Sequence, residues 1–295
     1  MAYKGRRVKK IPIYKKPAFW VFTTVALLIL VLTIWVVSIL GGGEAMIRKP
    51  DPTTEPTSMT RPTEEATLPP PPKNPYGPVD FDHEEETGEI TLTSGNAVKG
   101  IDVSEWNGEI DWQQVKDSGV EYVIIRVGGR GTEEGSMYAD GSAQSYYEGA
   151  TAVGLKVGAY FFSQSITVEE AVEEAQFMLE LVQGWDVQMP LVYDWEYVDK
   201  TARTGKMDSI TLTDMAKAFC DTIRNGGYTP MIYFGRSQSM DMLILEELVG
   251  YPFWLAMYST IMDYPYQIDM WQYTDEGTVP GIEGPVDLNL WFTYE

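Results

Sequence analysis

Val192-Tyr193-Asp194-Trp195-Glu196 is an apolar run ending in two carboxylates one residue apart. On a strand, residues i and i+2 share a face, so Asp194 and Glu196 point the same way and each charge perturbs the other's protonation. A pair of this kind can supply a proton and a negative charge to one reacting bond. The bland alternative is a buried strand surfacing into solvent through acidic residues.

The elements that must position such a pair begin at Val98, where short apolar runs alternate with amphipathic stretches in the pattern of a parallel sheet with crossover helices. Strands are expected at Gly100 to Ser104, Tyr122 to Val127, Val157 to Phe162, Leu191 to Glu196, Met231 to Phe234, Phe253 to Tyr258, Asp269 to Tyr273 and Val286 to Trp291. Eight strands suggest a closed barrel. Helices are expected at Trp112 to Ser118, Ala143 to Val153, Val168 to Val182 and Thr213 to Asn225, the third opened by a Thr167/Glu170 capping box. After Gly250 the spacing is too short for regular crossover helices, so this α/β chain predicts an irregular, TIM-like β/α barrel with fewer helices in its C-terminal part. Barrel sites lie at the C-terminal ends of strands, which gathers Asp102, Tyr160, Asp194, Glu196, Tyr258 and Gln272. Asp287, near the start of the last strand, fits that rule less well.

The charge is segregated. Residues 1–40 hold seven basic residues and no acidic one, leaving about −28 on the rest of a chain whose total is −21. Residues 1–17 read as a basic cytoplasmic foot, and 18–40, uncharged throughout, are long enough to cross a bilayer as a single-pass helix. A cleaved signal peptide is the competing reading. Residues 41–97, rich in Pro, Thr and Glu, read as an extracellular stalk, disordered because little in them can be buried. Residues 98–295 are the exterior domain. This reading predicts a single-pass protein of the cell membrane with that domain on the outside.

One cysteine, Cys220, precludes an intrachain disulfide, and the one histidine, His83, falls in the stalk. A Ser-His-Asp triad and a His-ligated zinc are thereby excluded from the domain. No metal or other cofactor is expected. An acidic domain without a phosphate loop gives no case for nucleic acid. Carboxylates, phenols and backbone remain for chemistry.

These residues resemble glycoside hydrolase family 25, the lysozymes that act as N-acetylmuramidases on peptidoglycan. The resemblance rests on Gly100-Ile101-Asp102-Val103-Ser104-Glu105-Trp106-Asn107-Gly108, Ile110-Asp111-Trp112, Tyr122 to Arg126, Gly158-Ala159-Tyr160-Phe161, Tyr193 to Glu196, Trp254 to Tyr258, Trp271-Gln272-Tyr273 and Val286 to Asn289, in order over about 195 residues. It implies an incomplete, flattened barrel. It also implies Glu196 as the general acid, Asp194 and Asp102 completing the carboxylate set, and Asp287 nearby. Tyr160, Arg126, Trp254, Tyr258 and Gln272 are candidates for substrate contact, and Arg126 alternatively pairs with an acid. Aromatic walls such as Tyr193 or Trp195 would keep Glu196 protonated beside an ionised Asp194. Where the family's third strand often reads Tyr-His-Phe, this chain has Tyr160-Phe161-Phe162. The implied partner is the peptidoglycan glycan strand; protein partners are not indicated. The alternative function is a catalytically inactive wall-glycan-binding module on a membrane stalk.

Overall fold

Runs of Val, Ile, Tyr and Phe form strands because branched and aromatic side chains suit a pleated surface, and Gly, Asn and Pro end them. The computed structural model describes residues 68–84 and 87–294. β1 (Phe81–His83) and β2 (Ile90–Leu92) pair as an antiparallel hairpin. β3 (Asn96–Val103), β4 (Tyr122–Arg130), β5 (Met137–Ala139), β6 (Lys156–Ser163), β7 (Leu191–Trp195), β8 (Pro230–Gly235), β9 (Phe253–Ala256), β10 (Met270–Gly277) and β11 (Val286–Thr293) form the large sheet.

That sheet closes on itself. Its ring order is β3, β4, β6, β7, β8, β9, β10, β11, with β5 folded back antiparallel on the end of β4. From β3 round to β10 each neighbouring pair is parallel, whereas β11 runs antiparallel to both β10 and β3. The result is a closed eight-stranded β-barrel, not the incomplete one implied by resemblance: the reversed β11 holds β3 in register from Asp287↔Asp102 to Thr293↔Asn96.

Helices α1 (Trp112–Asp117), α2 (Ala143–Ala152), α3 (Val168–Leu181), α4 (Ser209–Asn225) and α5 (Arg236–Asp241) follow the earlier strands. Among the described residues no α-helix follows Asp241, as the short connections there require. Thr167 caps α3 by accepting from the Glu170 N–H at 3.2 Å, but the Glu170 carboxylate accepts from Ile166 N, one residue earlier than the expected box. α4 starts four residues before the expected Thr213, because Asp208 caps it by accepting from Thr211 N at 2.9 Å.

Strand alternation divides the core in two. Inside the barrel lie Tyr122, Ile124, Val192, Met231, Trp254 and Met270; outside, Val123, Ile125, Phe161, Tyr193, Trp195 and Trp271 pack with the helices and the N-terminal segment. Gly100 is obligatory inside, since a Cβ there would sit 2.1 Å from the Tyr122 ring.

Part of the segment expected as a stalk, from Pro72 on, packs on the barrel. Asn74 N donates to Pro265 O and Gln267 N to Pro72 O; the Tyr76 ring stacks on Tyr294, and Phe81 meets Trp271 and Phe292 edge-on. A few well-spaced aromatic and aliphatic residues thus dock this segment as a strap on the barrel, and His83 falls on β1 within it. Among the described residues no helix is long and apolar enough to cross a membrane. The expected foot, the expected transmembrane segment 18–40 and residues 41–67 of the expected stalk lie outside the described residues.

Candidate active site

The alternation that fills the barrel also aims its chemistry. Val192 and Asp194 of β7 point inward, and Glu196 follows one residue past the strand's end. Asp194 and Glu196 line a cavity of about 140 Å³ at the C-terminal ends of the parallel strands. Asp102, Tyr160, Trp254, Tyr258, Gln272 and Asp287 line it too, so eight of the nine residues expected from sequence meet there. Asp287 belongs because β11 is reversed: its first residues lie where its neighbours end, opposite Asp102. Beside the cavity opens a groove of about 620 Å³ that shares Glu196, Tyr233 and Tyr258 with it.

Arg126 is the exception. Its Nε donates to Asp140 at 2.8 Å and its NH2 to Glu105 at 3.2 Å, so its charge is spent on holding the loops after β3 and β5. Tyr193 and Trp195 do not wall Glu196. Alternation turns both outward, where Trp195 Nε1 donates to Ser165 O at 3.0 Å and Tyr193 packs on Phe219. Tyr160, Tyr233 and Trp254 form the walls instead. Phe161, at the position of the family's histidine, also faces outward and meets Phe177 edge-on.

Asp102 is held by a buried amide network. Gln272 Nε2 and Asn289 Nδ2 donate to its Oδ2 at 2.9 and 2.8 Å. Trp254 Nε1 orients Asn289 by donating to its Oδ1 at 2.9 Å, and the Tyr233 and Tyr258 hydroxyls donate to Gln272 Oε1 at 2.8 and 3.2 Å. Tyr233 and Asn289 were not singled out from sequence. For Asn289 the signal was its i+2 spacing from Asp287; for Tyr233 it was its phase on an expected strand.

Four carboxyls in one poorly solvated cavity cannot all ionise at neutral pH. Burial, offset by the two amide bonds, lifts Asp102 to about 6. Burial and then the neighbouring Asp102 lift Asp287 to about 8. Asp194 is pushed well above the carboxylate range by burial and by Glu196 and Asp102, and burial raises Glu196 as well. Asp194 and Glu196 therefore titrate as a pair that shares a retained proton. Asp194 Oδ1 is buried and has no hydrogen-bond partner among the described residues. It is an acceptor awaiting a donor.

The backbone under the pair is fixed from both sides. Gln238 Nε2 donates to Trp195 O at 2.9 Å, and the fully buried Gln164 donates to Glu196 O at 2.8 Å. The site is therefore a rigid cavity with retained protons, a buried acceptor and the anionic Asp102 opposite. Such a set can protonate a leaving oxygen and face a positive centre.

A model of the glycosyl hydrolases of family 25 matches residues 101–282, which run from the end of β3 through β10. The chain belongs to glycosyl hydrolases family 25. It is 29% identical over 196 residues to the autolytic lysozyme of Clostridium acetobutylicum, covering 65% of this chain and 55% of that protein. It is 25% identical to lysozyme M1 of Streptomyces globisporus, covering 67% and 68%. Among solved structures, the modular autolysin LytC of Streptococcus pneumoniae, also determined with a synthetic peptidoglycan ligand, superposes with a TM-score of 0.60 at 27% identity over 72% of this chain and 52% of that one. This family 25 chain thus spans about half the length of the first of these relatives and of LytC.

Proposed function

We propose that this family 25 glycoside hydrolase cleaves the β-1,4 bond between N-acetylmuramic acid and N-acetylglucosamine in peptidoglycan, with Glu196 as general acid. The observation that carries this reading is the buried Asp194–Glu196 pair with Asp194 Oδ1 unpartnered in the cavity. A substrate 2-acetamido N–H donating to that oxygen stabilises the Asp194 anion, which leaves the shared proton on Glu196. Glu196 then protonates the glycosidic oxygen while Asp194 orients the acetamido carbonyl for attack on the oxocarbenium-like centre, and Asp102 supplies negative charge opposite, with the protonated Asp287 beside it. Direct attack by a carboxylate, or water attack with inversion, are the competing courses; the anomer of the first product, read by NMR, separates inversion from the other two.

The relatives named lysozyme and the peptidoglycan-bound LytC support the substrate class. The test is digestion of purified peptidoglycan by the wild-type protein and Glu196→Gln, with mass spectrometry of borohydride-reduced fragments. Reduced N-acetylmuramic acid ends from wild type alone are expected. N-acetylglucosamine ends would make it a glucosaminidase, and no release by folded protein would make it a wall-binding module.

We read residues 18–40 as a membrane anchor that keeps the enzyme on the wall-facing side of the cell membrane, supported by the apolar length and the basic residues before it. Cell fractionation should find the full-length chain with the membrane; full-length chain only in the culture medium would refute this.

A further inference from the structure

The groove beside the cavity is walled by Ala256, Met242, Met257, Ser237 and Gln238, and Arg236 is the one cation lining either space. Its position is set by the barrel. β8 ends at Gly235, paired with Ala256 of β9, so Arg236 emerges at the mouth beside the strand that carries Tyr233. Its NH1 donates to the Asp263 carboxylate and lies 3.2 Å from Met257 Sδ, while Nε and NH2 have no partner among the described residues. The side chain is 43% exposed. The Nε/NH2 edge of a planar fork built for carboxylate is therefore open to the groove.

The other charged residues lining the two spaces are acidic. Asp102, Asp194, Glu196 and Asp287 line the cavity, and Asp241 lines the groove. An anionic substituent entering this mouth meets repulsion except where the guanidinium stands. The substrate of the reaction proposed above carries such a substituent next to the cleaved bond: the lactyl ether on C3 of muramic acid ends in a carboxylate, either free or amidated to a peptide with carboxylates of its own. Because groove and cavity share Glu196, Tyr233 and Tyr258, a ring held at the carboxylates borders the groove.

We infer that Arg236 binds the carboxylate carried by the C3 substituent of muramic acid, which makes the groove a specificity site for that side chain. The inference rests on the muramidase reading of Glu196. Free lactyl acid and peptide carboxylate share this chemistry, and the substrates of the test separate them.

The experiment measures kcat/KM of wild type, Arg236→Ala and Arg236→Gln on three glycans: intact peptidoglycan, the same strands stripped of peptide to leave lactyl carboxylates, and stripped strands whose carboxylates have been reduced to alcohols. Thermal melting confirms that the variants fold, and the glutamine variant keeps the side chain's bulk if alanine does not. The expected result is a loss of about tenfold, the size of a half-exposed charge-assisted contact, on whichever of the first two substrates carries the recognised carboxylate, with no loss on the reduced strands. Equal loss on all three, or no loss on any, overturns the inference. Cleavage of none by wild type overturns the muramidase reading itself, and this inference with it.

Discussion

Asn289→Leu tests whether the ionisation of Asp102 governs turnover. Asp102 Oδ2 accepts from Gln272 and Asn289, and these two bonds hold it to about 6 against burial. Leucine keeps the volume and removes one donor. A hydrogen bond from a buried amide to a carboxylate contributes about 1.5–3 kcal/mol, and one pKa unit corresponds to about 1.36 kcal/mol, so Asp102 should rise by roughly one to two units. If the Asp102 anion faces the positive centre of the transition state, the acid limb of the kcat/KM profile shifts upward by that amount. Activity at pH 6 then falls about five- to fiftyfold, and much of it returns in mildly alkaline buffer. The variant also strips Trp254 Nε1 of its acceptor, a cost that does not depend on pH. The assay is release of soluble fragments from peptidoglycan between pH 4 and 9. A uniform loss at every pH with an unmoved acid limb would refute the reasoning and leave Asn289 a packing role.

Asp287→Asn should change how stability depends on pH. A carboxyl whose folded pKa lies above its unfolded value holds its proton more tightly when folded, so stability is highest below the unfolded value near 4 and falls as pH rises through about 8. Wild type should melt progressively lower from pH 5 to 8, and the variant, having no proton there to lose, should show a shallower decline by calorimetry; parallel curves would contradict this. Gly100→Ala should lower stability by about 3 kcal/mol or more, because the new Cβ meets the Tyr122 ring at 2.1 Å inside a closed barrel, and denaturant titration would read it. A loss under about 1 kcal/mol would mean that the ring can move.

The site was legible in the sequence where local periodicity decides it. Asp194 and Glu196 share a face because they are two apart on a strand, and the same parity read one residue over would have turned Tyr193 and Trp195 outward. What escaped was decided by distant partners. Nothing within Val286 to Thr293 states its direction, yet the reversal of β11 is what brings Asp287 to Asp102. Arg126 demanded a partner on an apolar strand, but Asp140 on the far side of a loop could not be singled out before folding. The proline-rich segment read as unfolded to residue 97 because composition averages over Tyr76, Phe81, Ile90 and Leu92, four side chains that suffice to dock it.

The reversal of β11 also brings the end of the barrel back to its beginning. Thr293 pairs with Asn96 on the face away from the cavity. A short turn joining those two positions would convert β11 and β3 into an ordinary hairpin, and the chain could then be opened at a rim loop without breaking any rung of the ladder. The barrel is therefore open to circular permutation, with the hairpin between β10 and β11 at the mouth left free for loop exchange.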